Sequence, residues 1–307
     1  MLYGDQRSPW NRDIDRFAPK WLLKTICRRT GVDYWCAYRS TLAIYRTRLY
    51  ARRKLSGQLR WVLPILSHGT KRRGFGMQFC PACLAEDAVP YFRKQWRLAL
   101  YTYCPIHRVL LYDACPACGV PVCYFRRDFG RELTQAPDIA HCYSCGFDFR
   151  QASHAMPEMP DEDVRTRFDA MLSSLANAMP LGYSEEHGFF AVLHQLCRVM
   201  CMRQNAGRLQ VFVSGQLSRS DDRIRLESRS IEHLRVGNRH RLLILALWLL
   251  ADLKPRLTLA WRQRAVCYNL LVKDLAEKPK WYRDVVDKCA NWRRTELQGG
   301  ANDDRGD

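Results

Sequence analysis

Four short pairs of metal-ligand side chains constrain this chain more than anything else in it: Cys80–Cys83, Cys104–His107, Cys115–Cys118 and Cys142–Cys145. Two residues intervene within every pair, and twenty and twenty-three residues separate the two halves of each set. That is the spacing of two consecutive four-ligand zinc sites, one Cys₃His and one Cys₄. Two intervening residues form a tight turn that aims both side chains at one ion, with Zn–S at about 2.3 Å and Zn–N at about 2.0 Å. Pro81, Pro105 and Pro116 each follow a ligand, and Gly119 and Gly146 follow two of the knuckles, residue types that suit such turns. Each set supplies four protein ligands and keeps no open position for water or substrate, so the two Zn²⁺ expected here are structural. Cys123 lies just after Cys118 and His141 adjoins Cys142; both are read as bystanders.

The competing reading of these cysteines is buried thiols or disulfides. Disulfides need an oxidising compartment, and residues 1–20 are polar, with none of the apolar core of an export signal. Fourteen cysteines in such a chain point to metal binding in a reducing cytoplasm. The longest apolar run, 242–253, is too short to span a bilayer and contains Asp252, so no membrane role is expected.

Charge is the second constraint. The net charge is +18, and residues 1–79 carry 17 Lys/Arg against 4 Asp/Glu. Residues 80–150 carry 8 against 7, and residues 151–307 carry 24 against 20. A basic excess confined to one segment reads as a contact for a polyanion, nucleic acid above all, with a solvated basic face as the plainer alternative.

Along the chain, Pro19 suits the first turn of a helix carrying Trp21, Leu22, Ile26 and Cys27 at helical spacing, with Gly31 as its C-terminal cap. Asp33 can cap a second helix reaching about Leu55, with Trp35, Tyr38, Leu42, Tyr45 and Leu49 on one stripe. The outline is that of a helix-turn-helix, although a plain helical hairpin explains it almost as well. Arg39, Arg46, Arg48, Arg52, Arg53 and Lys54 decorate the second helix, and Lys71, Arg72 and Arg73 form a basic loop before the first knuckle. These nine are the candidate nucleic-acid contacts, since long cations there could reach phosphates. Residues 96–103 read as a strand or a short helix, and 109–112 and 120–125 as short strands. Beyond a linker at 151–160 the chain reads as helical: 161–178, 187–202, 231–253 ended by Pro255, 261–276 and 281–292.

The expected fold is therefore mainly α with small β zinc-ribbon modules. It divides into a basic helix-turn-helix-like region at 1–78, tandem zinc modules at 79–150, the linker, a helical domain at 161–296 and a disordered tail at 297–307.

Residues 79–122, FCPACLAEDAVPYFRKQWRLALYTYCPIHRVLLYDACPACGVPV, resemble the signature of the TniQ/TnsD family of transposon target-selection proteins. The first knuckle, the Leu84-Ala85-Glu86-Asp87 after it, Trp96-Arg97 and Cys104-Pro105-x-His107 carry the likeness. Upstream, the run from Trp10 to Arg16 and Trp61-Val62-Leu63-Pro64 are similar to it as well. The likeness is close over about residues 10–150. Family members carry further helical sequence before the Trp10 run, so the resemblance implies a chain that starts partway into that region. It also implies a role connecting target DNA, or a complex already bound to it, to the transposition machinery. The partners so implied are DNA and the AAA+ ATPase and transposase of the same element, and the cytoplasm so implied is a bacterial one, with the chain nucleoid-associated. There is room besides for an RNA-guided targeting complex and for a homodimer.

No catalytic constellation stands out: there is no phosphate-binding loop and no dinucleotide fingerprint. His194, Cys197 and Cys201 share a helix face, but leucines surround them, and small core thiols explain them better than a third metal site. The reading is of a non-catalytic adaptor. Its rivals are a zinc-ribbon transcription regulator at a fixed site and, further off, a zinc-dependent hydrolase or nuclease.

Overall fold

Helix dominates the described residues, and the strand signals read at 109–112 and at 120–123 of the 120–125 stretch become isolated bridges rather than ladders, residues 124 and 125 lying outside the described residues. A computed structural model of the chain describes residues 13–16, 19–50, 58–65, 76–123, 138–176, 185–202, 207–218, 223–224, 230–275 and 278–290. The chain packs as two units, Met1–Ser184 with Arg229–Arg241, and Glu185–Ser228 with Leu242–Asp307. The tail expected at 297–307 lies outside the described residues.

In the first unit, α1 (Lys20–Thr30) follows Pro19 and ends at Gly31, whose φ of 71° and bond from its N–H to Cys27 O at 2.9 Å close the helix. Asp33 caps α2 (Tyr34–Arg39), its carboxylate accepting from Trp35 N at 2.8 Å and Cys36 N at 3.1 Å. The second helix does not run on towards Leu55. Ser40 and Thr41 hydroxyls donate back to Ala37 O and Tyr38 O, and Thr41 then accepts from Ala43 N, so the backbone turns there. A 3₁₀ turn at Leu42–Tyr45 follows, and Leu42, Tyr45 and Leu49 are buried all the same.

Phe79, Trp61, Trp96 and Leu98 form the centre of this unit, held by paired backbone bonds. Leu63 N donates to Arg97 O and Ala99 N to Trp61 O, both at 2.9 Å. Residues 151–160 are laid against the same body: Ala155 O accepts from Leu110 N at 2.7 Å, and Tyr112 donates to Ser153 O at 2.7 Å. α4 (Glu162–Ala176) starts at Asp161, whose carboxylate accepts from Val164 N at 2.8 Å. It buries Val164, Phe168, Met171, Leu172 and Leu175, the spacing of one helical face.

The first turn of α7 (Val236–Ala251) also belongs here. Asp113 accepts from Val236 N at 2.6 Å, so a residue 123 positions away caps the helix. Arg239, 0% exposed, donates to Gln78 Oε1 at 2.7 Å and to Leu234 O at 2.6 Å, with Asp113 Oδ2 at 3.8 Å. Burial pushes its guanidinium down to about 10, and Asp113 and Glu232 pull it back up. Glu232 in turn accepts from Trp61 N at 2.8 Å.

In the second unit, α5 (Glu185–Cys201), α6 (Arg208–Gln216), the rest of α7, α8 (Leu253–Arg262), α9 (Tyr268–Val272) and α10 (Lys280–Val286) pack on apolar faces. α6 was not expected, and the helix expected at 261–276 is two pieces, α8 and α9. Pro255 does not stop a helix. It sits in the first turn of α8, where no intrahelical N–H is required. Cys197 donates to Leu242 O at 3.8 Å and Cys201 to Cys197 O at 3.0 Å, the geometry of core thiols. Burial pushes the Cys201 thiol up to about 12. No helix among the described residues is long and apolar enough to cross a membrane.

The Arg239 cluster yields a stability test. Arg239→Ala removes the buried cation beside Asp113 and Glu232, and urea denaturation should show a loss of about 3–5 kcal/mol. Arg235→Ala, at a half-exposed partner of Asp113, should cost no more than about 1 kcal/mol.

Candidate metal centres

The sites are built from one local motif used three times. Cys104 N donates to Val109 O, Cys115 N to Val120 O and Cys142 N to Phe147 O, each at 2.8 Å. Four residues on, Arg108, Gly119 and Gly146 return their N–H groups to Cys104, Cys115 and Cys142 carbonyls at 2.8, 2.8 and 3.0 Å. Isolated bridges Tyr103↔Leu110, Ala114↔Pro121 and His141↔Asp148 clasp the base of each loop. The fifth position is left-handed in all three, with φ of 54° at Arg108, 72° at Gly119 and 76° at Gly146. Glycine takes that conformation without penalty, and arginine does not. The remaining pair is made differently. Cys80 is the N-cap of α3 (Pro81–Glu86), with Pro81 at the first helical position and Cys83 N pointing at Cys80 Sγ at 3.5 Å.

Folding brings the eight side chains into two groups, Cys80–Cys83–Cys104–His107 and Cys115–Cys118–Cys142–Cys145, with the ligand atoms of each group within 4.8 Å of one another. The finer distances test what fits. A tetrahedral ion with Zn–S near 2.3 Å sets sulfurs about 3.8 Å apart and sulfur from nitrogen about 3.6 Å. Cys83 Sγ lies 3.6 Å from Cys104 Sγ, and His107 Nδ1 lies 3.5, 3.3 and 3.5 Å from Cys80, Cys83 and Cys104 Sγ. In the second group Cys115–Cys145 and Cys118–Cys142 are 3.6 and 3.7 Å apart. A disulfide needs about 2.05 Å. Both groups therefore fit a four-coordinate metal ion.

His107 is oriented from behind. Its Nε2–H donates to Glu86 Oε2 at 2.8 Å, which fixes the tautomer and turns Nδ1 towards the sulfurs. A carboxylate behind a ligating imidazole is the usual support of such a ligand. Sequence spacing did not single out Glu86. Its neighbour Asp87 takes Arg93 in a two-pronged bond at 3.0 and 2.9 Å, and Leu84 is fully buried, so each residue of the Leu84-to-Asp87 run except Ala85 has a structural task. Arg97, 1% exposed, reaches Asp13 at 2.5 Å, Asp15 at 3.5 Å and Leu63 O at 3.1 Å. The segments holding Asp13, Leu63 and Arg97 are thereby tied together. Burial raises the Asp15 carboxyl, with Arg97 opposing the shift.

The two groups abut through aromatic rings. Phe79, just before Cys80, stacks on Phe149 at 4.3 Å and on Tyr112 at 5.4 Å. They differ in cover: the first group is buried except for a half-buried His107, whereas Cys118 and Cys145 are exposed. Neither Cys123 nor His141 joins a group, and His141 Nδ1 instead pairs with Asp138 at 2.7 Å. His194, Cys197 and Cys201 form no metal group.

Three of the nine candidate nucleic-acid contacts fall among the described residues. Arg39 and Arg46 are exposed. Arg48 has to be withdrawn as a surface cation: it is 8% exposed and its Nη1 donates to Ser174 O at 2.5 Å. Arg52, Arg53, Lys54, Lys71, Arg72 and Arg73 lie outside the described residues. Lys20, Lys24 and Arg28, which charge counting did not pick out, fall four residues apart on the exposed face of α1.

Metal analysis of purified protein should give two ions per chain, and about one after Cys118→Ser, with the first group still loaded. Glu86→Ala keeps all four first-group ligands but should lower that group's metal affinity by about 10- to 100-fold in chelator competition.

Comparison with known proteins adds one match. No curated protein matches the chain. Residues 1–111, which include the whole of the first metal group and none of the second, match the model of the TniQ family. The chain carries a TniQ-family domain over its first 111 residues.

Proposed function

We propose that this chain is a non-catalytic, zinc-binding adaptor of DNA transposition that takes part in choosing the target site. The observation that carries the reading is the TniQ match over residues 1–111, which contains a complete four-ligand group. The occupant of both groups is Zn²⁺: thiolate-rich, tetrahedral sites of this size suit it, and its role with four protein ligands is structural. The second unit and the second metal group lie beyond the matched residues and provide surfaces for partners.

In this reading the chain joins target DNA, or a complex already bound to it, to the AAA+ ATPase and transposase of its element. The α1–α2 hairpin serves as a helix-turn-helix-like contact. DNA is met by Arg39, Arg46, Arg52, Arg53, Lys54, Lys71, Arg72 and Arg73. Support for that assignment is the charge of residues 1–79, with 17 Lys/Arg against 4 Asp/Glu.

Phosphate contacts release counterions, so duplex affinity should fall steeply with salt, by about 0.9 log units per phosphate for each tenfold rise. Changing Arg52, Arg53 and Lys54 together to Glu should weaken binding and flatten that slope by roughly two to three units. Zinc content should stay at its wild-type level in this variant. An unchanged slope removes these three residues from the contact.

For the adaptor role itself, the purified chain with Mg²⁺ or Mn²⁺ should not cut or join DNA, and insertion at the target should require it together with the ATPase and transposase. Cleavage by the chain alone, lost on substitution of one carboxylate, would overturn the reading.

A further inference from the structure

The second unit holds a cavity of about 460 Å³ lined by Arg208, Val211, Phe212, Arg223, Gln263, Arg264 and Ala265. Among the described residues seven line it; three of these are arginines, all exposed, and none is a carboxylate. A basic cavity of this size is large enough for a small ligand. Guanidinium groups present planar donor forks that match phosphate oxygens.

Two features of the backbone aim at the same place. Arg208 is the first residue of α6, a nine-residue helix opened by Gly207 at φ 67° with no side-chain cap. Its opening N–H groups therefore add positive potential beside the Arg208 side chain. Arg264 closes α8. Its N–H donates to Trp261 O at 2.9 Å and the Ala265 N–H to Ala260 O at 2.8 Å, the double bond pattern that ends a helix on a left-handed residue. That residue is ordinarily glycine, yet here an arginine takes φ 57°. The conformation costs local stability and turns a cation to the cavity. Phe212 and Val211 supply an apolar wall.

We propose that this cavity binds phosphate groups, carried either by a free phosphate compound or by a nucleic-acid backbone. It belongs to the second unit and does not depend on the assignment of the basic N-terminal segment to DNA.

The test uses the full chain and two probes, inorganic pyrophosphate and a 15-nucleotide single-stranded DNA. Arg208→Gln and the double variant Arg208→Gln/Arg223→Gln change exposed side chains and should melt close to wild type without ligand. If the source is free, pyrophosphate raises the wild-type melting temperature and the rise disappears in the double variant. If it is a nucleic-acid backbone, single-strand affinity falls in the double variant and the salt slope drops by about 0.7 for each lost phosphate. Arg264→Gly separates the roles of this residue: the unliganded protein should melt higher, because glycine suits the conformation, while the response to the effective probe weakens. The proposal is overturned if neither probe's binding or salt slope differs between wild type and the double variant, or if Arg264→Gly melts higher and responds undiminished.

Discussion

Thiolates held less than 4 Å apart repel one another, and a cation between them turns that repulsion into cohesion. Both metal groups of this chain place sulfurs at 3.6–3.7 Å, and both lie in the first unit. Where a sheet would ordinarily join such segments, residues 98–121 and 141–148 have only isolated bridges. The repeated Cys-to-carbonyl bonds stand in for the ladder, and an ion bound in each group would complete the tie. Forming the modules and loading them are then one process.

Around the modules, order comes from buried charge more than from apolar area alone. Arg97 and Arg239 are both almost wholly excluded from solvent. Each collects oxygen atoms from distant parts of the sequence: Asp13 and Leu63 for the one, Gln78 and Asp113 for the other. Such clusters add little net stability over an apolar core, but they fix which segments meet, because any other pairing leaves a charge buried alone.

The ligands were legible in the sequence because their spacing is dictated by coordination chemistry, and the Gly31 and Asp33 caps because their bonds are local. What depended on distant partners was not legible. Arg48 counts as a surface cation by composition, yet Ser174, 126 residues away, takes its guanidinium inside. The second helix has an unbroken apolar stripe to Leu49, but the Ser40 and Thr41 hydroxyls compete for the carbonyls that would have continued it. Pro255 is a stop signal only when it falls past a first turn, and nothing local says that a new helix starts at Leu253. Glu86 could be found as a support for His107 only once α3 had set it beside the imidazole.

The unequal cover of the two metal groups gives them different lifetimes. An incoming chelator, thiol or oxidant must reach a ligand before it can displace an ion, and the protein shell around a site sets that access. Cys118 and Cys145 face solvent, whereas the sulfurs of the first group are enclosed. Erosion of the first unit therefore begins at the Cys₄ end and reaches the Cys₃His group last. Because Phe149 of the later module stacks on Phe79 beside Cys80, an ion bound in the outer group would act as a sacrificial guard for one bound in the inner group. A half-depleted preparation would then be one species, loaded at the Cys₃His end, and not a mixture of two.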